Sequence, residues 1–477
     1  MWLRPNARTF PMTWPMTRRA FTRNALTALG LTLPLGSAQG AERPPNILVL
    51  VADDAGARHF GCYGNPEIKT PHIDRLARGG LTADNAILTT PQCSPSRISI
   101  LTGRYPHETG AEDLHMPLPE GDPIVPGLLQ QAGYFTGHMQ KTHYGPHADA
   151  QFQWYDPGLD QLDGFIDAAQ GKPFFMWVGF DDPHRPYQDN TIPEPHDPAR
   201  LPLAPWLADT PETRLDLARY YDEIARMDGV IGRMMATLAA RNLAEETLVV
   251  FLSDNGAPFP REKGALTDAG VKTPLIFHWP GKVPAGKRTA DVISVMDLAP
   301  TWLQLAGLDP LENMGGSSLV PHILGLEPFT RDAAFSERNW HDTDEHLRSV
   351  RTRRYKLIHN AYIHLPFGSP ADVSESPSWR ALFELKQKGQ LSPEQALLFR
   401  SPRPEIEFYD LEQDPWELNN LAGDPAYRDR LREHVRLLEA WRETTGDFPP
   451  SRRQRRGHTD RIRGVFFSDT IPPMTDP

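Results

Sequence analysis

Four short runs of apolar residues, many of them β-branched, stand out in the first two thirds of the chain. Each run is shorter than an ordinary helix and is followed by polar residues, a pattern typical of strands buried on both faces of a sheet. Three of the four end in clusters that contain Asp or Asn. The runs occupy residues 47–51, 174–180, 247–252 and 275–277.

Helical periodicity separates these predicted strands. Between the second and third strand, apolar residues recur at helical spacing from Leu217 to Leu238. Thr210 is the predicted N-cap of this helix, and Pro211 stands in its first turn. Strands that alternate with helices predict an α/β fold with a parallel sheet covered on both faces. Such a sheet binds ligands at the carboxyl ends of its strands, where the Asp and Asn residues stand.

The pattern changes after residue 335. We predict a catalytic domain at 41–335 and a smaller C-terminal α+β subdomain with an antiparallel sheet at 336–477. The elements predicted in this subdomain are short strands at 349–352, 355–360 and 407–411 and a closing amphipathic helix at 427–444. A basic cluster at 452–456 follows the helix, and we interpret it as a solvated terminal segment.

The first forty residues have the features of an export signal. Arg18 and Arg19 precede an apolar run at 25–35, and small residues follow as far as Gly40. This order predicts a signal peptide of the twin-arginine type at 1–40 and a periplasmic or secreted protein. The apolar run is shorter than the roughly 20 residues of a membrane span, so we expect none. An ordinary basic, flexible N-terminus is the alternative.

Composition narrows the function classes. The chain has 477 residues, of which 39% are hydrophobic and 23% charged, as in a globular protein. Its formal net charge of −11 argues against a nucleic-acid partner, because phosphate binding needs surplus positive charge. The two cysteines, Cys62 and Cys93, are too few for a four-cysteine zinc site or a disulfide scaffold.

Two predicted strands end in pairs of oxygen ligands. Asp53 and Asp54 follow the first strand, and Asp254 and Asn255 follow the third. Carboxylate and amide oxygens suit Ca²⁺ or Mg²⁺ and do not suit a metal that prefers thiolates. Either pair alone is also compatible with capping the next helix or turn. Both pairs at equivalent places in one sheet favour a metal site.

Cys93 begins the sequence Cys-Ser-Pro-Ser-Arg, which ends at Arg97, and Leu-Thr-Gly-Arg follows at 101–104. Residues 96–101 predict a helix that has Cys93 at its N-terminus, where backbone N–H groups attract anions. This signature resembles that of the type I sulfatases. In that family the cysteine is oxidised to formylglycine by a formylglycine-generating enzyme, and the hydrate of this aldehyde is the nucleophile.

The resemblance extends over most of the chain after residue 41 and implies an alkaline-phosphatase-like sandwich with a mainly parallel central sheet. It implies that Ca²⁺, or else Mg²⁺, is held by Asp53, Asp54, Cys93 as formylglycine, Asp254 and Asn255. It also implies catalytic functions for Cys93, Arg97, Lys141, His143, His184 and Lys263.

In the implied reaction, the metal together with Arg97, Lys141 and Lys263 stabilises the charge on the sulfate oxygens. His184 is the general acid for the leaving group, and His143 assists the release of sulfate. Gln140 stands where the family usually has a glycine.

Within the family, several segments resemble the sulfamidases, among them 107–110, 141–146, 182–185 and 254–260. This likeness implies a terminal N-sulfoglucosamine, in a heparan sulfate or heparin fragment, as substrate. Asp182 and Arg185 would then lie near the sugar. Three alternatives stay open: an O-sulfatase acting on a sugar such as glucosamine 6-sulfate, a phosphoester or phosphonate hydrolase of the alkaline phosphatase superfamily, and a glycan-binding protein in which Cys93 remains a thiol.

Overall fold

The computed structural model describes residues 43–448 and two short strands at 459–460 and 465–466. The predicted signal peptide and the basic cluster at 452–456 lie outside these residues. Among the described helices, none combines the length and the apolar character needed to cross a membrane.

Most strands of the described chain belong to one large sheet. Its strands are β1 Asn46–Ala52, β2 Leu81–Ile87, β3 Phe135–Gln140, β4 Trp154–Asp156, β5 Phe174–Gly179, β6 Thr247–Ser253, β7 Lys272–Thr273, β8 Leu275–His278 and β9 Lys287–Ser294. Their order across the sheet is β4-β3-β5-β1-β6-β8-β2-β7, with β9 paired to β2.

Strand β1 lies in the middle of the parallel part of this sheet. Val49 stands opposite Trp177 of β5 and Val250 of β6, and both neighbours run parallel to β1. Because β3 is also parallel to β5, the carboxyl ends of four strands lie side by side. The prediction of a mainly parallel central sheet is confirmed. Strand β8 is an exception, since it runs antiparallel to β6. The segment between them contains the short helix Asp268–Val271 and strand β7 in place of a long crossover helix that covers the sheet.

Helices cover both faces of the sheet, as predicted. The described α-helices are α1 Pro71–Arg78, α2 Cys93–Thr102, α3 Pro106–Thr109, α4 Val125–Gln131, α5 Pro146–Asp149, α6 Leu162–Ala169, α7 Pro211–Ala240, α8 Asp268–Val271, α9 Leu298–Leu305, α10 Val320–Ile323, α11 Ala371–Ser374, α12 Pro377–Gln387, α13 Pro393–Ala396 and α14 Arg428–Thr445. Short 3₁₀ helices lie at Ala57–His59, Gly61–Tyr63, Ala244–Glu246, Val295–Asp297, Leu397–Phe399 and Pro425–Tyr427.

Alternate side chains of β1 enter two separate cores. Val49 packs in the core that also contains Trp302 of α9, and Leu50 packs in the core that contains Ile224 of α7. The predicted N-cap of α7 is present, since the Thr210 hydroxyl accepts a hydrogen bond from the backbone N–H of Thr213 at 3.3 Å. Burial on both faces explains why the strands contain continuous apolar runs.

A second, antiparallel sheet lies in the C-terminal part of the chain. Its strands, in spatial order, are β10 Ala334–Arg338, β11 Leu347–Arg351, β12 Tyr355–Asn360 and β13 Ile406–Asp410. Helix α14 packs Leu438 and Trp441 against this sheet. Strands β14 Thr459–Asp460 and β15 Val465–Phe466 form a separate pair. The predicted antiparallel sheet is confirmed, while the domain boundary after residue 335 stays a prediction.

Asp268, the first residue of α8, joins the two sheets. Its carboxylate pairs with Arg351 of β11 at 3.2 Å and with Lys356 of β12. Burial alone would raise the pKa of Asp268, but Arg351 and Lys356 hold this pKa well below its ordinary value. The buried carboxylate therefore stays ionised and compensates two cations of the second sheet.

Replacing Asp268 with Asn should lower the free energy of unfolding by about 3–5 kcal/mol, because it removes the carboxylate that pairs with the buried Arg351 and one of the two carboxylates that pair with Lys356. The depressed pKa means that Asp268 stabilises the native state fully above its ordinary value of 3.8. Below that pH the unfolded chain binds the proton first, so the contribution is lost progressively. Urea unfolding of the wild type and of Asp268→Asn between pH 3 and pH 7 measures the loss of stability and its dependence on pH.

The matched control is Asp209→Asn, which removes an exposed carboxylate paired with Arg214 and should leave the unfolding midpoint almost unchanged. Equal stability of Asp268→Asn and the wild type at pH 7 would show that this ion-pair cluster does not hold the sheets together.

Candidate active site

The carboxyl ends of β1 and β6 bring two pairs of oxygen ligands together. Asp53 and Asp54 follow β1, and Asp254 and Asn255 follow β6, and all four side chains are fully buried. The strand pairing continues past the strands, because the Asp254 N–H donates to the carbonyl oxygen of Ala52 at 3.2 Å. The parallel register of the sheet therefore fixes the distance between the two pairs.

Asp54 has a left-handed backbone conformation, with φ of 70°. Its N–H donates to Asp254 Oδ1 at 3.1 Å, and the Tyr220 hydroxyl donates to its carbonyl oxygen at 2.9 Å. Such a conformation is unusual for a residue other than glycine and is tolerated by Asp more than by most residues. The surrounding hydrogen bonds hold it, so the carboxylate has a fixed direction.

Cys93 is the first residue of α2, as the sequence predicted, and it faces the acidic group. Its Sγ lies 3.6 Å from Asp53 Oδ1 and 3.8 Å from Asp54 Oδ1. The residue is only 3% exposed and packs against Leu114 and Trp340. Burial raises the pKa of the Cys93 thiol well above its ordinary value, although Lys263 and Lys141 oppose this effect. An unmodified Cys93 is therefore a protonated thiol and a poor nucleophile.

A cation meets each of the three buried carboxylates. Arg97 Nε donates to Asp254 Oδ2 at 2.7 Å, and Lys263 Nζ donates to Asp54 Oδ2 at 2.8 Å. The third contact joins Lys141 Nζ to Asp53 Oδ2. Burial would raise the pKa of Asp53, but Lys141, His184 and Arg97 hold it well below its ordinary value. The structure thus brings Arg97, Lys141 and Lys263 together at one edge of the sheet.

The approach of Arg97 to the end of β3 requires a glycine on β5. Arg97 Nη1 donates to the carbonyl oxygen of Lys141 at 3.0 Å. A Cβ atom added at Gly179 would lie 2.0 Å from this oxygen and 2.7 Å from Arg97 Nη1. Gly179 therefore provides the space in which the arginine and the backbone of Lys141 meet.

The oxygen ligands fit a hard divalent cation. Asn255 Oδ1 is buried and has no hydrogen-bond partner among the described residues, whereas Asn255 Nδ2 donates to Asp54 Oδ1. Burial and the neighbouring Asp53 raise the pKa of Asp254 to about 6, because the carboxylates repel one another. A cation bound between these oxygens would relieve that repulsion and coordinate the unpartnered amide oxygen, as Ca²⁺ and Mg²⁺ do in proteins.

Two histidines lie at the mouth of this group. His184 Nε2 is 3.8 Å from Asp54 Oδ2, and its Nδ1 contacts the carbonyl oxygen of Arg185, so Nδ1 carries a hydrogen. His143 Nε2 forms a 2.6 Å hydrogen bond with Nδ1 of His115. Burial, Lys141 and His115 lower the pKa of His143 to about 2, so this imidazole is neutral at physiological pH.

The sequence did not indicate two of the polar groups found here, His115 and Asp372. His115 follows Leu114, which packs on Cys93. Asp372 belongs to α11 and its Oδ2 accepts a hydrogen bond from Lys263 Nζ at 2.7 Å. The same oxygen lies 3.8 Å from His184 Nε2. In the sequence, Asp372 is an acidic residue in a short segment before α12. Such residues are too common to indicate a functional site.

Helix α7 binds the side chains of the two predicted sugar-binding residues. The Asp182 carboxylate pairs with Arg226, and Arg185 forms two hydrogen bonds with Asp216, at 2.7 and 2.8 Å. Arg185 also lies over the ring of Tyr187 at 4.4 Å. These partners occupy both side chains within the protein, and a direct contact of either residue with sugar stays a prediction.

Two family models match the chain. The model described as Sulfatase matches residues 45–158 and 144–308. The model described as N-sulphoglucosamine sulphohydrolase, C-terminal, matches residues 261–378. Among curated proteins, an ulvan-active sulfatase of Formosa agariphila is 31% identical over 84% of this chain and 75% of its own length. The N-sulphoglucosamine sulphohydrolase of Homo sapiens is 31% identical over 85% of this chain and 91% of its own length.

Solved structures share the fold at lower identity. A protein in complex with its substrate D-glucosamine-2-N,6-O-disulfate has a TM-score of 0.66 and 22% identity, covering 86% of this chain and 99% of that chain. The phosphonate monoester hydrolase of Agrobacterium radiobacter also has a TM-score of 0.66, with 21% identity over 84% of this chain and 96% of its own. These neighbours confirm the predicted alkaline-phosphatase-like fold.

Adding Ca²⁺ to metal-stripped protein should raise the unfolding temperature, because a ligand that binds only the native state stabilises it. The free energy of unfolding increases by about 2.7 kcal/mol when the concentration of free metal is one hundred times its dissociation constant. Asn255→Ala should reduce this gain, since it removes the unpartnered amide oxygen. Differential scanning fluorimetry with Ca²⁺, Mg²⁺ and a chelator measures the shift.

Asp160→Asn is the control, because this exposed carboxylate pairs with Arg233 on the surface, and the variant should keep the full Ca²⁺ shift. Identical unfolding temperatures with either metal and with the chelator would contradict a divalent-cation site in this group.

Proposed function

The chain belongs to the sulfatase family, and we propose that it hydrolyses the N-sulfate of a terminal N-sulfoglucosamine in heparan sulfate or heparin fragments. One observation carries this choice of substrate. The segment that matches the N-sulphoglucosamine sulphohydrolase C-terminal model includes Lys263 and Asp372, whose side chains meet at the site. The human relative of that name is similar over most of both chains.

Two groups would supply the central chemistry. Sulfatases of this family use formylglycine and a divalent metal. Asp53, Asp54, Asp254 and Asn255 would hold Ca²⁺ or Mg²⁺, which would draw negative charge from the sulfate oxygens. Oxidation of Cys93 by a formylglycine-generating enzyme would provide a hydroxyl nucleophile at the N-terminus of α2. The raised pKa of the unmodified thiol supports this requirement, because a protonated thiol does not attack sulfur efficiently.

Three cations of the chain bind the anionic part of the substrate. Arg97, Lys141 and Lys263 are held beside the metal-ligand carboxylates at one end of the sheet. The N-terminus of α2 adds partial positive charge at the same place. Charge that develops on the outer sulfate oxygens in the transition state is stabilised there, and the fixed positions of the cations avoid a reorganisation cost.

His184 protonates the leaving nitrogen. Its Nδ1 is bound to a backbone carbonyl, so Nε2 is the nitrogen that gains and loses the catalytic proton. With 32% of its side chain exposed, His184 faces the open side of the site, where a sugar enters. Carboxylate oxygens of Asp54 and Asp372 each lie 3.8 Å from this Nε2 atom.

His143 has a different function. Its low pKa keeps the imidazole neutral, so it cannot act as a general acid at neutral pH and can accept a hydrogen bond through a ring nitrogen. The hydrogen bond to His115 fixes the ring. His143 therefore assists the deprotonation that releases sulfate at the end of the reaction.

Hydrolysis of a sulfate ester is the second candidate function. The ulvan-active sulfatase is as similar to the chain as the human relative is, at 31% identity. A sugar ester such as glucosamine 6-sulfate would use the same nucleophile and cations.

We also propose export to the periplasm or the medium, on the evidence of the arginine pair and apolar run before Gly40.

Purified protein whose formylglycine content at position 93 is known by peptide mass spectrometry should release sulfate from N-sulfoglucosamine and not from glucosamine 6-sulfate. Cys93→Ala should abolish release without changing the unfolding temperature, because it removes the nucleophile from an intact fold. Cys62→Ala is the matched control and should remain active. Release from the 6-sulfate alone would replace the N-sulfatase proposal with the second candidate.

Replacing His184 with Gln should lower kcat for N-sulfoglucosamine by about 10²–10⁴-fold, the usual contribution of a general acid. The effect on nitrophenyl sulfate should be small, because nitrophenolate leaves without protonation. Parallel initial rates on the two substrates measure this difference, with the exposed His364→Gln as control. Equal losses on both substrates would exclude His184 as the proton donor.

A further inference from the structure

Asp372 is the carboxylate of the site that the proposed chemistry does not use. Asp53 and Asp254 group with Cys93 as candidate metal ligands, and Asp54 Oδ1 lies 3.8 Å from Cys93 Sγ. Asp372 comes from α11 in the C-terminal part of the chain and groups with Asp54 and His184. Its Oδ1 accepts a hydrogen bond from the backbone N–H of Val373 at 2.9 Å. Its Oδ2 contacts Lys263 and approaches His184. With 19% of the side chain exposed, it also faces the open side of the site.

A second carboxylate fixes the position of Asp372. The backbone N–H of Ala371, next to Asp372, donates to Asp342 Oδ2 at 2.8 Å, and His341 Nδ1 contacts the same oxygen at 2.9 Å. Burial would raise the pKa of Asp372, but Lys263, His184 and His341 hold it below its ordinary value. Asp372 is thus a fixed, ionised hydrogen-bond acceptor beside the proton donor.

An ionised carboxylate at the mouth of an anion-binding site repels the charge of the substrate. Lys263 offsets part of this cost, and a hydrogen-bond donor on the substrate would offset more of it. The outer oxygens of a sulfate offer none, and neither does the bridging oxygen of a sulfate ester. The bridging nitrogen of a sulfamate carries one N–H. The leaving atom must lie near His184 Nε2, and Asp372 Oδ2 is 3.8 Å from that nitrogen. This distance is too long for a direct hydrogen bond between His184 and Asp372. Both side chains can therefore form a hydrogen bond with the same substrate atom.

We propose that Asp372 selects sulfamates over sulfate esters by accepting the N–H of the leaving nitrogen while His184 donates to the lone pair of the same nitrogen. The inference rests on the proposed N-sulfatase function. The hydroxyl at position 93 first releases its proton to solvent. As sulfur bonds to the resulting oxyanion, the S–N bond breaks and its electron pair stays on nitrogen. The proton from His184 Nε2 completes the free amine. Asp372 transfers no proton; it orients the nitrogen so that the lone pair faces His184.

The same geometry rejects an ester. The bridging oxygen of an ester presents only lone pairs to Asp372, and the carboxylate would lose water without gaining a donor. Sites built to hydrogen-bond a substrate N–H discriminate strongly against analogues that lack it, by up to about 10⁴–10⁵-fold. Lys263 contributes to this selection as a positioning residue, because its ammonium bonds both Asp372 and Asp54.

The test compares two substrates that differ at the bridging atom, N-sulfoglucosamine and glucose 2-sulfate. For the wild type, kcat/KM should be at least about 10³-fold higher on the sulfamate. Asp372→Asn keeps the size of the side chain but presents an amide that also donates. The sulfamate rate should fall by about 100-fold and the ester rate should stay level or rise, so that the ratio falls at least 100-fold.

Asp342→Asn is the matched control, since an amide oxygen can still accept the hydrogen bond from the Ala371 N–H and the Asp372 carboxylate is kept. It should leave the ratio of the two rates close to that of the wild type. If Asp372→Asn also lowers both rates equally, Asp372 has only a structural function and the inference is wrong.

A substrate analogue tests the same point on the wild-type enzyme, independently of any folding defect in a variant. N-methyl-N-sulfoglucosamine keeps the sulfamate and has no N–H, so it should be hydrolysed as poorly as glucose 2-sulfate. Wild-type rates on N-sulfoglucosamine and glucose 2-sulfate that agree within tenfold would overturn the inference and leave the proposed function standing. No release from N-sulfoglucosamine, with release from glucosamine 6-sulfate, would overturn both.

Discussion

The burial of three carboxylates at one end of the central sheet is the constraint on which the site and its loops depend. Removing an ion from water costs several kcal/mol even in a relaxed protein interior, so each carboxylate needs a cation close by. The cations come from three separate elements: Arg97 from α2, Lys141 from the end of β3 and Lys263 from the loop after β6. Each ion pair therefore fixes one element as well as neutralising one charge. In the proposed reaction the same cations face the substrate, so substrate binding and local folding would depend on the same ion pairs.

Much of this arrangement follows from the sequence because its causes are local. Continuous apolar runs require burial on both faces, which specifies parallel strands under helices, and polar residues directly after such runs must gather at one edge. The helix that begins at Cys93 follows in the same way from the residues around Pro95. Strand β8 was harder to orient, because direction depends on the path of residues 254–274, where no helix longer than the four residues of α8 forms.

Contacts between distant segments account for what the sequence does not reveal. Asp372 meets Lys263 across 109 positions of sequence, and nothing in its neighbourhood distinguishes it from an acidic residue in a surface turn. Arg185 and Asp182 are a complementary case. Their positions after β5 suggest exposure to substrate, but α7 presents Asp216 and Arg226 to them. A charged residue on a loop pairs with whichever opposite charge the packing brings near, and only the assembled fold determines that partner.

The burial of Cys93 has a consequence for how the enzyme is made. With α2 packed between the sheet and its neighbours, the Sγ atom lies beneath Leu114 and Trp340 and cannot enter the active site of another protein. Any enzyme that oxidises this side chain must therefore reach it before the helix docks. Modified and unmodified chains that have folded cannot interconvert, even though they share one shape. Under the proposed function, the specific activity of a preparation would therefore depend on the fraction of chains in which Cys93 was oxidised before folding.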